Sequence, residues 1–121
     1  MGTRPGSPII AFWAIIKHLG VKGFTEIVKK CMENTKFLAQ RISEIDGVKL
    51  AVDPIMNVIG ITTESGDSIC ELEKSLRNNK WMLGKFLNFN LVRAVIMPHV
   101  KREHLLEFSY DLEKIVQKLK L

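Results

Sequence analysis

Three histidines, two cysteines and an arginine inside an apolar run are the residues of this chain best suited to chemistry. His99 and His104 have no base or nucleophile partner nearby in the sequence, and metal-ligand spacing is absent. Both read as structural or solvated histidines. His18 falls near the end of a helix, where an imidazole can cap free carbonyls. Cys31 and Cys70 are far apart and lack metal-ligand spacing. Cys31 lies on an apolar helical face, where cysteine acts as a small hydrophobe, so the thiols read as reduced and the chain as cytoplasmic. Trp13 and Trp81 read as core residues rather than cofactor-stacking ones. No metal site and no self-contained catalytic residue emerges from these residue types.

The elements that must position these groups follow from punctuation and periodicity. Ser7-Pro8 is a helix start, with a hydroxyl cap and a proline whose missing N–H costs nothing at the first helical position. That helix is expected to stop at Gly20. Its Ile9, Ile10, Phe12, Trp13, Ile15, Ile16 and Leu19 point in every direction, the pattern of a helix buried on all sides. A second helix follows Gly23, with Phe24, Ile27, Val28, Cys31, Thr35, Leu38, Ile42 and Ile45 at three- and four-residue steps, and stops at Asp46-Gly47. Strands are expected at Val48–Val52, Asn57–Thr63, Trp81–Phe86 and Leu91–Met97, with a turn at Leu87–Asn90. A helix capped by Ser68 runs to Asn78-Asn79. The last helix starts near Lys101 and buries Leu105, Phe108, Leu112, Ile115 and Leu119. The fold class is therefore α+β, with four mostly antiparallel strands and helices on one face.

With 121 residues there is room for one real core. The net charge of +5 would permit loose attraction to anions, but Lys and Arg alternate with Asp and Glu and form no basic block. Nucleic acid is not expected as a partner. The apolar run from Pro8 to Ile16 is too short to span a bilayer and lacks the flanks of a signal peptide. No membrane association is expected.

Gly2-Thr-Arg-Pro-Gly6, the Trp13-bearing helix, Lys17-His-Leu-Gly20 and Gly23-Phe24 together resemble a segment of the group II pyridoxal-phosphate-dependent amino-acid decarboxylases. The likeness is strongest to the archaeal tyrosine and aspartate decarboxylases, with glutamate decarboxylase and sphingosine-phosphate lyase as relatives. It continues through Cys31-Met-Glu-Asn-Thr35, Pro54-(Ile-Met)-Asn57, Lys80-Trp81, Arg93-Ala-Val-Ile-Met-Pro-His-Val100, Glu103-His104, Glu107-Phe108 and Asp111-Leu-Glu113. The motifs keep their order along essentially the whole chain.

The resemblance implies the small C-terminal domain of a fold-type I enzyme, with residues 1–23 a cofactor-proximal loop and interdomain helix and residues 24–121 the domain itself. It implies that Gly2, Thr3 and Arg4 lie close to the cofactor phosphate in the intact enzyme. Backbone N–H groups at a helix N-terminus suit a phosphate, although the same residues also read as a plain lead-in to a helix. It implies that Arg93 holds the substrate α-carboxylate, for which a planar guanidinium fork is suited; the other reading is an edge-strand arginine in a surface ion pair. The family's imine-forming lysine follows a histidine upstream, and this sequence has no His-Lys dipeptide. Without that lysine, decarboxylation has no mechanism. The chain alone is expected to be inert and to bind no pyridoxal phosphate. Met82–Asn90 matches the family poorly, and Lys101 stands where relatives often have the hydroxyl cap of the last helix. The alternative is a free-standing small-ligand or interaction module. On either reading the helix from Ile9 to Leu19 needs a partner, a second copy or a large domain.

Overall fold

A computed structural model describes residues 5–121. Helix α1 (Ser7–Ser43) has Gly6 as its N-cap, without a side-chain cap. The helix begins one residue earlier than Ser7-Pro8 suggests, because the Gly6 carbonyl accepts from the N–H groups of Ile9 and Ile10. Ser7 is helical rather than capping. Gly20, with φ 58° and ψ −172°, interrupts α1 in a conformation that glycine adopts without a Cβ penalty. The expected stop is thus a kink, and the helix resumes at once rather than after Gly23. Burial begins only at Cys31. Phe24 and Val28, expected on the packed face, remain 38% and 57% exposed.

The strands are β1 (Val48–Leu50), β2 (Val58–Thr63), β3 (Gly84–Phe86) and β4 (Leu91–Val95), in the order β1-β2-β4-β3 with every neighbour antiparallel. Helices α2 (Ile69–Asn78) and α3 (Arg102–Leu119) complete the chain. The strict alternation of β2 and β4 sends Ile59, Ile61, Val92 and Ala94 to one face. There they meet Leu38 and Ile42 of α1, Leu72 and Leu76 of α2, and Phe108 and Leu112 of α3 in a single core. The expected α+β architecture holds. Among the described residues no helix packs on the opposite face of the sheet, and the β1–β2 loop lies over part of it.

Two polar fixtures hold α2 to the sheet. Asn90 adopts φ 48° and ψ 48° after the short 3-10 turn Leu87–Phe89, a left-handed conformation that asparagine tolerates well. Its Oδ1 accepts from the Ile69 N–H at 2.9 Å, and its Nδ2 donates to the Asp67 carbonyl at 2.8 Å. Glu73 of α2 is buried and accepts from Arg77 one turn on and from Lys85 of β3 at 3.1 Å. The Arg77 guanidinium first, then the Lys85 ammonium, hold the Glu73 carboxyl below its ordinary value of 4.5 against the opposing effect of burial. A depressed folded-state value means that this contribution is fully present above about pH 4.5 and is lost as the pH falls through the lower folded value. Glu73→Gln is expected to cost about 1–2 kcal/mol at pH 7, since charge-assisted hydrogen bonds are lost while Arg77 and Lys85 can turn to solvent. Urea melts at pH 7 and pH 3 check this: the gap between variant and wild type shrinks in acid.

Candidate functional site

On β4 the inward residues Val92 and Ala94 force Arg93 onto the open face. Its cross-strand partners in register are Gly60 of β2 and Gly84 of β3. Opposed residues on neighbouring strands share a face, so the guanidinium stands between two positions without side chains. A Cβ at Gly84 would come within 3.2 Å of the Phe86 ring and 3.7 Å of Arg93 Nε, and one at Gly60 within 3.3 Å of Ala51 Cβ. The Arg93 guanidinium lies 4.7 Å from the centre of the Phe86 ring, which steadies it from one side. Arg93 makes no ion pair with any described residue. Strand β4 lies inside the sheet, so the edge-strand, ion-paired arginine anticipated as the alternative is not what the fold contains.

Two cavities flank this residue. One, of about 320 Å³, opens where β3 parts from β4 and is walled by Trp81, Leu83, Val95, Leu105 and Phe108. The other, of about 340 Å³, lies under the β1–β2 loop, between residues 51–56 and Val58, Gly60 and Leu91. Both cavities are walled mainly by apolar side chains, with His104 beside Arg93 in the first and Asp53 beside it in the second; mostly apolar walls with a few polar groups are the composition of a small-molecule site.

The other candidate residues fall elsewhere. Gly2, Thr3 and Arg4 lie outside the described residues. His104 takes the capping role that Lys101 cannot, its Nδ1 accepting from the Lys101 N–H at 3.3 Å. His99 is exposed. Cys31 is buried and Cys70 half-buried, both free thiols. Among the described residues no cluster of His, Cys, Asp and Glu could hold a metal. Trp81 packs edge-on against Phe108, with ring centres 5.3 Å apart, and donates from Nε1 to Asp111 at 2.8 Å. Trp13, read from sequence as a core residue, is 60% exposed, because no part of the described fold reaches the first half of α1.

Sequence reading singled out Arg93 but missed its surroundings. Gly60 and Gly84 are 33 and 9 residues from it, and only the register brings all three together. The residues present do not fit an imine-bound pyridoxal phosphate, since no lysine lines either cavity beside Arg93.

No family model matches the chain. It is 42% identical to a probable L-aspartate decarboxylase of Thermococcus gammatolerans over 116 residues, which are 96% of this chain and 29% of that protein. It is 42% identical to the L-aspartate decarboxylase of Thermococcus kodakarensis over 118 residues, again 29% of the relative's length. The L-aspartate/L-glutamate decarboxylase of Pyrococcus horikoshii is 35% identical over 115 residues, 95% of this chain and 29% of that protein. Among solved structures, a sphingosine-1-phosphate lyase of Burkholderia pseudomallei superposes with a TM-score of 0.85 at 20% identity, covering 97% of this chain and 26% of that one. Mouse CSAD superposes at 0.68 and 16% identity over 86% of this chain and 26% of its own. The chain therefore spans less than a third of the proteins it matches.

Proposed function

We propose, from the chain's correspondence to the C-terminal part of the group II amino-acid decarboxylases, that it is the small domain of a pyridoxal-phosphate-dependent L-amino-acid decarboxylase of the tyrosine, aspartate or glutamate class. Its role is to present Arg93 to the substrate α-carboxylate; cofactor and imine-forming lysine come from the large domain. The observation that carries this reading is Arg93 itself, a cation set between Gly60 and Gly84 on the sheet face away from the helices, with no ion-pair partner among the described residues although Asp53 lines one of its two cavities. A bidentate carboxylate is the ligand that such a guanidinium lacks. In the intact enzyme Gly2, Thr3 and Arg4 lie near the cofactor phosphate. Residues 1–23 then form the interdomain connection and residues 24–121 the small domain, with Ile9 to Leu19 packing on the large domain or on a second copy. Among the described residues no helix is long and apolar enough to cross a membrane.

The test is a graft. These 121 residues replace the matching C-terminal segment of the Thermococcus kodakarensis decarboxylase, and carbon dioxide release is followed with tyrosine, aspartate and glutamate in turn. The graft is expected to turn over one of the three acids, whereas the chain alone releases none. In the graft, Arg93→Gln is expected to lower kcat/KM about 100-fold or more, in the range of a lost charge-assisted bidentate pair. Turnover unaffected by Arg93→Gln would remove Arg93 from the substrate site.

A further inference from the structure

The cavity beside Arg93 has a definite structural origin. After α2, Lys80 takes φ 68° and the Trp81 N–H returns to the Leu76 carbonyl at 2.9 Å. The indole is tied to Asp111 of α3. These anchors draw Trp81–Leu83 away from the sheet, so that β3 pairs with β4 only at Leu91–Arg93. Beyond Arg93, residues 94–96 have no strand partner on that side. The resulting gap of about 320 Å³ has Leu105, Phe108 and Arg93 among its lining residues. That is the lower end of the volumes found for small-molecule sites, roughly 300–1,000 Å³.

Apart from the tied Trp81 indole, the polar side chains lining the gap are Arg93 and His104. His104 already accepts from the Lys101 N–H, and its Nε2 lies 3.9 Å from the Glu103 carboxylate. A second anionic group entering the gap would meet mainly apolar walls. Burial of such a charge without a partner is strongly unfavourable. An aryl or branched alkyl group would instead meet Trp81, Leu83, Val95 and Phe108.

We infer that this cavity takes the apolar body of a carboxylate ligand whose head is held by Arg93, and that it selects aromatic or branched-chain monocarboxylates over dicarboxylates. The inference rests on the reading of Arg93 as a carboxylate-binding residue and adds the side-chain class to it.

The experiment uses the 121-residue chain and follows the Trp81 indole N–H resonance by NMR during titration with 3-(4-hydroxyphenyl)propionate, 4-methylpentanoate, succinate and acetate. The two apolar acids are expected to shift it saturably at millimolar concentration, with succinate at least tenfold weaker. Arg93→Gln is expected to weaken every acid at least tenfold. Val95→Phe, placed at a half-exposed position at the cavity wall, is expected to abolish the aryl acid's response while leaving acetate's dependence on Arg93. Succinate binding as well as the aryl acid, with both lost in Arg93→Gln, would overturn the cavity and leave the carboxylate clamp. Binding indifferent to Arg93→Gln, or none by any acid, would overturn clamp and cavity together.

Discussion

Gly47→Ala is expected to destabilise the domain by about 2–5 kcal/mol, a large part of the roughly 5–15 kcal/mol that holds a domain of this size. Gly47 follows the last turn of α1 with φ 97°, a backbone state that costs an L-residue about 1–2 kcal/mol. An alanine Cβ would also fall on the Leu121 carbonyl oxygen and within 2.8 Å of Val116 Cγ1. Such overpacking adds about 1–3 kcal/mol. The segment cannot easily shift. Gly47's carbonyl accepts from the Glu64 N–H at 3.0 Å, and Val116 is part of the core. Gly66 supplies the control, because it has φ 81° and open space around its missing Cβ. Gly66→Ala should cost only the conformational share, about 1–2 kcal/mol. Urea unfolding with unchanged m-values separates the two. Equal costs would mean that the C-terminus does not pack on Gly47.

The second large effect concerns the first half of α1. Ile9, Ile10, Phe12, Trp13, Ile15 and Ile16 are between 41% and 73% exposed, and Val21 beyond the kink is 86% exposed. Residues 7–19 form a rod of about 20 Å at 1.5 Å per residue. Apolar on every side, it cannot remain wet without cost, at about 1.5–3 kcal/mol per large side chain. The isolated chain is expected to self-associate through this arm. Two arms with the adjoining Phe24 and Val28 offer apolar area of the order of the ~800 Å² per partner in a standard interface. Replacing Ile9, Phe12, Trp13 and Ile16 by glutamine, which keeps helix propensity, should raise the dissociation constant at least 100-fold, about 2.7 kcal/mol. Sedimentation at micromolar concentration reads this directly. A monomeric wild type with solvent-exposed Trp13 fluorescence would refute it.

Much of the fold could be read before any coordinates. The three- and four-residue steps from Cys31 to Ile42 become the packed half of α1, which ends at Ser43, short of the expected stop at Asp46-Gly47, and the β-branched run before Thr63 becomes β2. Ser68 caps α2, its hydroxyl accepting from the Cys70 N–H. Local signals sufficed there because the pattern and the packing agree. They failed where a distant group decides. Val48–Val52 and Leu91–Met97 shorten to Val48–Leu50 and Leu91–Val95. The strand expected over Trp81–Phe86 shrinks to Gly84–Phe86 because Trp81 is held by Asp111, thirty residues on. Asn90 read as a turn residue, and its grip on the start of α2 crosses more than twenty residues.

For the site the division is sharper. The sequence alone determined that an arginine would stand in an apolar strand and that the first helix is apolar nearly all round; these follow from residue type and period. The tertiary structure alone decided that Arg93 lies between two glycines, that it makes no ion pair with a described residue, and that an apolar cavity opens beside it. Register sets which residues of separate strands share a face, and the gap beyond Arg93 exists because a hydrogen bond from Trp81 to Asp111 of α3 holds the segment before β3 away from the sheet. Both are properties of pairing between segments far apart in the chain, which no local spacing encodes.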